Sequence, residues 1–287
     1  MTATQKIFIP PTPGESIAAL QTKTVYTIGN LIGQGAFGLV YACRDEWNNE
    51  LAAKVLKPLG SHEEVGKSGR EEIQKLLAVR HPHITYLYDA FEYRDTFYLI
   101  TERCDQSLGD LFKKRAVSVY SLLPIARCLL QAVDFIHRTG FVHQDIHPGN
   151  VFMTFARDGR GKKTLFAPSY FKLGDLGVAK LVGEIAAAKT RGWMVPPELI
   201  PGTNFGPADQ RIDIYHAGLL LLQVAMVKEL QFAPEEIAAG RPGEVAQTLR
   251  YPWNVALAKA LRRRVQHRTQ SAKELWLDLN APPTGEV

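Results

Sequence analysis

The stretch richest in polar chemistry is His143-Gln144-Asp145-Ile146-His147-Pro148-Gly149-Asn150. Asp145 and Asn150 put a carboxylate and an amide on one short loop, so that one can orient a hydroxyl while the other holds a metal. Further along, Leu173-Gly174-Asp175-Leu176-Gly177 ends a strand-like run on an isolated acid. Mg2+ takes one or two such oxygen ligands beside phosphate oxygens, and Asn150 with Asp175 is a suitable pair. His143 and His147 would suit zinc only on a helix, which Pro148 argues against.

Two earlier segments carry complementary chemistry. Gly33-Gln34-Gly35-Ala36-Phe37-Gly38 lies between strand-like runs, and such glycines let backbone N–H groups approach a polyphosphate. A dinucleotide fold needs a helix directly after them, whereas Leu39-Val40-Tyr41 reads as strand. Taken alone, the motif is equally a tight hairpin. Lys54 lies in Ala52-Ala53-Lys54-Val55-Leu56, and on a buried strand its ammonium needs a carboxylate or phosphate partner. Glu72, on the next helical segment, is the natural one; the alternative is a lysine that snorkels to the surface.

The elements that must position these groups change character along the chain. Residues 1–25 read as an extended lead-in with Pro10, Pro11, Pro13 and Gly14. Strands are expected at 25–28, 39–42, 51–56, 84–88 and 97–101, with one helix carrying Ile73, Leu76, Leu77 and Arg80 and ended by His81-Pro82. Beyond Asp105 the pattern turns helical. Leu122, Ile125, Ala126, Leu129, Leu130, Val133 and Ile136 share one face of a long helix closed by Gly140. Further helices are expected over 211–228, 254–264 and 271–279.

Composition sets the outer bounds. The 287 residues allow two domains or one two-lobed unit, and 46% apolar with 22% charged residues excludes a disordered or fibrous chain. A net charge of +5 is too dilute for a protein that coats nucleic acid. Cys43, Cys104 and Cys128 fit neither a disulfide framework nor a zinc cluster, and imply a reducing compartment, read as the cytoplasm. No apolar run approaches the ~20 residues of a membrane span, the best candidate, Ala217 to Val227, being short and containing Gln223, and the N-terminus lacks the long apolar core of a signal peptide.

In this order the motifs resemble the eukaryotic-type (Ser/Thr) protein kinase family over residues 26–280. The glycine loop, Lys54, Glu72, the Asp145/Asn150 loop, Asp175 and Pro197-Glu198 follow the family's sequence of elements. Asp213-Ile214-Tyr215-His216-Ala217-Gly218 is similar to the family's Asp-x-Trp-x-x-Gly helix, and Arg268 stands where the family pairs an arginine with Glu198. The resemblance implies an α+β, two-lobed fold: a small antiparallel β N-lobe with one main helix (26–101), a hinge (102–105) and a larger, mainly helical C-lobe (106–280), followed by a tail (281–287). It implies ATP and Mg2+ as cofactors and a protein Ser/Thr hydroxyl as acceptor. Gly33, Gly35 and Gly38 would cover the phosphates beside Ile32, and Lys54, held by Glu72, would contact them. Val40, Ala52 and Phe152 would sandwich the adenine, with Thr101 as gatekeeper and Glu102 and Cys104 in the hinge. Asp145 would orient the acceptor hydroxyl, and Asn150 and Asp175 would hold the metal. Leu76, Leu87, His143 and Leu176 match the stack that links the lobes.

Four departures qualify the resemblance. Gln144 replaces an arginine that grips a phosphorylated activation loop in many members, which favours constitutive or partner-driven activity; Thr190 is the sole hydroxyl between Asp175 and Glu198. His147 replaces a lysine that contacts the γ-phosphate, so a partly protonated imidazole is expected to act there, most strongly at low pH. Leu176 replaces a phenylalanine. The stretch between Asn150 and Asp175 is about a dozen residues longer than usual, and its basic tip at 157–163 reads as an exposed hairpin able to dock an acidic partner. Two other readings remain: a small-molecule phosphotransferase, because the loop also looks like the His-x-Asp-x-His-x-x-Asn of aminoglycoside- and choline-type kinases, and a nucleotide-binding pseudokinase scaffold. Neither nucleic acid nor membrane is expected as a partner, and the oligomeric state is left open.

Overall fold

The computed structural model describes residues 8–35, 38–57, 80–155, 169–176, 180–181 and 194–282. Glu72, the helix expected before His81, the basic tip at 157–163 and Thr190 lie outside them. The described residues fall into two compact units, one formed by residues 8–80 and 85–104, the other by 81–84 and 105–282.

The first unit is a six-stranded antiparallel sheet. In chain order its strands are β1 (Ser16–Ala18), β2 (Val25–Gln34), β3 (Gly38–Arg44), β4 (Glu50–Leu56), β5 (Leu87–Tyr93) and β6 (Thr96–Glu102), arranged β1-β2-β3-β4-β6-β5. Alternation along the strands separates two faces. Tyr41, Cys43, Ala53, Val55, Tyr98 and Ile100 occupy one, and they join Ile17, Ala19, Tyr26, Ile28 and Phe91 in a closed core. Val40, Ala42, Ala52, Lys54, Leu99 and Thr101 occupy the other, because Val40 pairs with Lys54, Lys54 with Leu99, Ala42 with Ala52, and Ala52 with Thr101.

The segment read as an extended lead-in belongs to this core. Ser16–Ala18 pairs with Val25–Thr27, and Ile17 and Ala19 are buried. The segment also bonds to the far edge of the sheet. The Thr22 hydroxyl and Tyr26 phenol donate to Asp89 Oδ2 on β5 at 2.6 and 3.0 Å, and the Arg94 guanidinium meets Glu15 at 2.9 Å. Burial, then the Asp89 charge, pushes the Tyr26 phenol well above its ordinary pKa and keeps it a neutral donor. The strand expected at 84–88 begins later, at Leu87. Ile84 instead makes an isolated parallel bridge to Leu173 in the other unit's own framework.

The second unit is mainly helical. A short strand β7 (Gln106–Ser107) leads into α1 (Leu108–Lys113), whose start is fixed by a capping box between Ser107 and Asp110. A 3-10 turn (Val119–Ser121) precedes α2 (Leu122–Arg138), amphipathic as expected and followed by Gly140 at φ +84°. Strand pair β8 (Phe141–Val142) with β11 (Lys180–Leu181) and pair β9 (Val151–Phe155) with β10 (Ser169–Leu173) bracket the polar loop 143–150. Then come α3 (Arg211–Met226), α4 (Pro234–Ala239), α5 (Arg241–Gln247), α6 (Trp253–Ala260) and α7 (Ala272–Leu279). Thirteen successive residues of α3, Ile212–Val224, are buried, so this helix is the centre of the unit rather than one of its faces.

The expectation about apolar runs needs one correction. Among the described residues, Val119–Arg138 is long and apolar enough to cross a membrane, although Arg127 and Asp134 interrupt its apolar sequence. Its buried stripe, Leu122, Ile125, Leu129, Val133 and Ile136, is spent on this unit's own core.

Candidate active site

In the first unit, register rather than proximity in sequence assembles the site. Direct cross-strand pairing sets Val40, Ala52, Lys54 and Thr101 on one face, opposite the closed core, with Glu102 at the end of β6 and Cys104 just beyond. Ile32 is exposed on β2, and Gly33 pairs with Val40. The turn after β2 is held by the Gly35 N–H on Gly38 O at 3.0 Å and by Lys57 Nζ on Gly35 O at 3.2 Å.

The three glycines have different reasons to be glycine. A Cβ at Gly38 would stand 2.5 Å from the carbonyl oxygen of Val55, so β4 itself forbids a side chain there. A Cβ at Gly35 would meet nothing within 4 Å, and one at Gly33 only Val40 at an ordinary 3.6 Å. Neither glycine is required by packing. Among the described residues the space beside Gly35 is open, which fits a group that must approach the backbone closely, as a polyphosphate does.

In the second unit, the loop 143–150 hangs from one buried carboxylate. Asp213, on α3, accepts the backbone N–H of Gln144 at 2.7 Å, that of His143 at 2.8 Å and the ring N–H of His137 at 2.8 Å. Burial raises this carboxyl, but the bond to His137, the His137 and His143 imidazoles and the Gln144 peptide N–H outweigh it and hold its pKa below the ordinary value. The loop needs such support because Gln144 is left-handed, at φ +68°. His143 then fixes the next link. Its Nδ1 accepts the Asp145 N–H at 3.2 Å, so its proton lies on Nε2, which donates to Gly174 O at 3.0 Å. The residue expected as part of a hydrophobic stack is therefore also a buried polar bridge from Asp145 to the residue before Asp175.

Asp145 is held but not sealed. The Asn150 amide donates to its backbone oxygen at 2.9 Å and to its Oδ2 at 3.1 Å, while its side chain keeps 20% of its exposure. Burial raises the carboxyl, and the His147 and His143 imidazoles pull it net below the usual carboxylate range, so at neutral pH it is an anionic acceptor. With the Asn150 nitrogen committed to Asp145, its oxygen is the atom left to act as a ligand. Asp175, at φ +59°, follows a peptide N–H that bonds Asn150 O at 2.8 Å, so the two candidate metal ligands are tied through one backbone bond. An amide oxygen and a carboxylate are hard donors that fit Mg2+. Phe152, on β9, is half-buried.

His147 stands beside Asp145 on the same loop. Its Nδ1 accepts the N–H of Gly149 at 3.0 Å, which leaves the proton on Nε2, 3.7 Å from Asp145 Oδ2. The ring lies so close that a Cβ on Gly149 would be 2.7 Å from it. Sequence reasoning missed His137 altogether: a histidine in the last turn of an amphipathic helix gives no sign that it will reach Asp213.

A third cluster anchors the far side of this unit. The Arg268 guanidinium grips Glu198 in a two-pronged bond of 2.8 and 2.7 Å, with both side chains fully buried, and also donates to Arg211 O at 2.9 Å. The pairing expected from the sequence is formed.

With this geometry in view, the comparisons with known proteins agree. The family model described as a protein kinase domain matches residues 26–276. The chain is 32% identical over 196 residues to the probable serine/threonine-protein kinase zyg-1 of Caenorhabditis briggsae, a match covering 66% of this chain and 25% of that protein. It is 26% identical over 213 residues to serine/threonine-protein kinase TAO2 of Xenopus laevis (72% and 20%), and 28% identical over 218 residues to serine/threonine-protein kinase 10 of Mus musculus (73% and 21%). The matches thus span a quarter or less of these relatives' length. The chain belongs to the eukaryotic-type Ser/Thr protein kinase family.

Proposed function

We propose that the chain transfers the γ-phosphate of ATP, with Mg2+, to a serine or threonine hydroxyl of a protein substrate. The observation that carries this reading is the state of Asp145. It is anionic, anchored by Asn150 and by the His143 bridge, and still open on one side, which is what a residue that orients an acceptor hydroxyl requires. On the sheet face of the other unit, Val40 and Ala52 offer an apolar surface for a base, and Lys54 offers positive charge for phosphate oxygens. Asn150 and Asp175 would hold the divalent cation, which when bound neutralises the charge of the transferring phosphate. The buried Glu198–Arg268 pair supports a protein rather than a metabolite as acceptor, because it props the segment that the family uses as its peptide platform.

The odd and widely spaced set Cys43, Cys104 and Cys128 supports a reducing compartment, taken as the cytoplasm. Labelled ATP, offered to the purified chain with a generic protein substrate and a panel of small metabolites, tests the proposal. Label should pass to protein, and Asp175→Ala should abolish it while leaving the thermal midpoint unchanged. Label on a metabolite alone would install the small-molecule reading, and nucleotide binding without transfer the scaffold reading.

A further inference from the structure

Away from the polar loop, α2 and α7 border a cavity of about 340 Å3. Its floor is apolar and aromatic: Leu130 and Phe135 from α2, Ala272 and Trp276 from α7. Residues 127, 131, 134 and 138 follow at the three- and four-residue steps of one helix stripe, which places Arg127 and Arg138 at opposite ends of this edge. From residue 127 to 138 the stripe runs roughly 16 Å, enough for a short extended segment. Across from it stands Lys273, at the N-terminal end of α7, a helix capped by Ser271.

The charges around the rim are unequal. Arg138 already meets Asp134 at 3.3 Å. Arg127 and Lys273 are exposed, and neither has a carboxylate partner among the described residues. Lys259, by contrast, is taken up by both Glu274 and Asp278. His81 closes one end. Its ring stacks on Phe135 with centroids 5.1 Å apart, and its Nδ1 accepts the His83 N–H, so it presents an N–H donor. Burial, then His83, lowers its pKa, and the end wall carries no charge of its own at neutral pH.

We infer that this groove is a docking site for an acidic segment of a partner protein, with an aromatic or large apolar side chain seated between Phe135 and Trp276 and flanking carboxylates on Arg127 and Lys273. Charge complementarity selects this occupant. A basic segment would meet two uncompensated cations. A nucleic-acid strand would need more phosphate contacts than two cations offer and would run past Asp134. A second copy of this net-positive chain brings the wrong average charge. The inference does not depend on the catalytic reading, since none of these residues belongs to the polar loop.

Fluorescence anisotropy on the full chain tests it, with labelled Glu-Glu-Phe-Glu-Glu as probe, its Lys-Lys-Phe-Lys-Lys counterpart and a ten-nucleotide oligouridine. The acidic probe should bind saturably with a Kd on the order of 100 µM, and weaken severalfold between about 50 and 500 mM salt. The exposed double substitution Arg127→Glu/Lys273→Glu should cut affinity at least tenfold while leaving the far-ultraviolet dichroism unchanged, and Trp276→Ala should cut it comparably. Three results would each overturn the inference: no saturable binding at millimolar probe, equal binding by the charge-reversed protein, or binding of the basic peptide or the oligouridine in place of the acidic probe.

Discussion

Asp213 and Asp145 serve the same loop and receive opposite treatment from the fold. Asp213 is wholly buried, and its oxygens are consumed by two peptide N–H groups and His137. Asp145 is held by an amide and a nearby imidazole, and keeps a fifth of its surface. The pKa of each lies below the ordinary value, yet only one has acceptor capacity left over. A carboxylate used to build is saturated with donors, whereas a carboxylate used to act is fixed on one side and left open on the other.

The sharpest way to break this contrast is to remove each acid in turn. Asp145→Asn should lower phosphate transfer by about a thousandfold with the thermal midpoint within a degree or two of the parent. Asp213→Ala should do the reverse in kind. It strands three donors in the interior, and such losses cost about 3–5 kcal/mol, so the midpoint should fall by several degrees and activity should follow the folded fraction. Midpoint scans and initial rates on both variants check this. Equal thermal losses in the two would erase the distinction.

The glycine turn divides along the same line, with a smaller expected effect. Gly38→Ala places a methyl group against the Val55 carbonyl at 2.5 Å, and overpacking of this kind costs about 1–3 kcal/mol. Gly35→Ala meets open space and should leave stability within about 0.5 kcal/mol. Its effect should instead appear as a raised KM for ATP, if close approach of phosphate is what the glycine is for. Urea titrations with ATP saturation curves for both variants separate holding from acting in this unit. An unchanged KM in Gly35→Ala would assign that glycine to chain flexibility alone.

What the sequence discloses follows the same division. The residues proposed to act are few and come in a set order, so the loop 143–150, Asp175 and the glycine turn stand out without any structure. Residues that hold are legible only where they are local. The face of α2 is visible from its own periodicity. The role of Asp89 is not: it falls just outside the strand expected at 84–88. In the fold it is buried, accepting hydroxyls from Thr22 and Tyr26, more than sixty positions earlier. Likewise Ser16–Ala18 is too short and too close to prolines to read as a strand, and it becomes one because the sheet supplies its partner. His137 and His143 gain their meaning only when α3 and Gly174 are brought beside them.

His147 lies between the two classes, and the smallest predicted effect tests where it belongs. Its Nε2 stands 3.7 Å from Asp145 Oδ2, too far for a strong hydrogen bond, and the ring is about a third exposed. Partly exposed pairs of this kind contribute about 0–1 kcal/mol, which corresponds to less than roughly a fivefold change in rate. His147→Ala should therefore cost no more than that, and His147→Lys, which installs the residue more usual in this family, should be similarly mild. A fall in kcat well beyond roughly fivefold in His147→Ala, restored by His147→Lys, would place His147 in the acting class, beside the transferring phosphate.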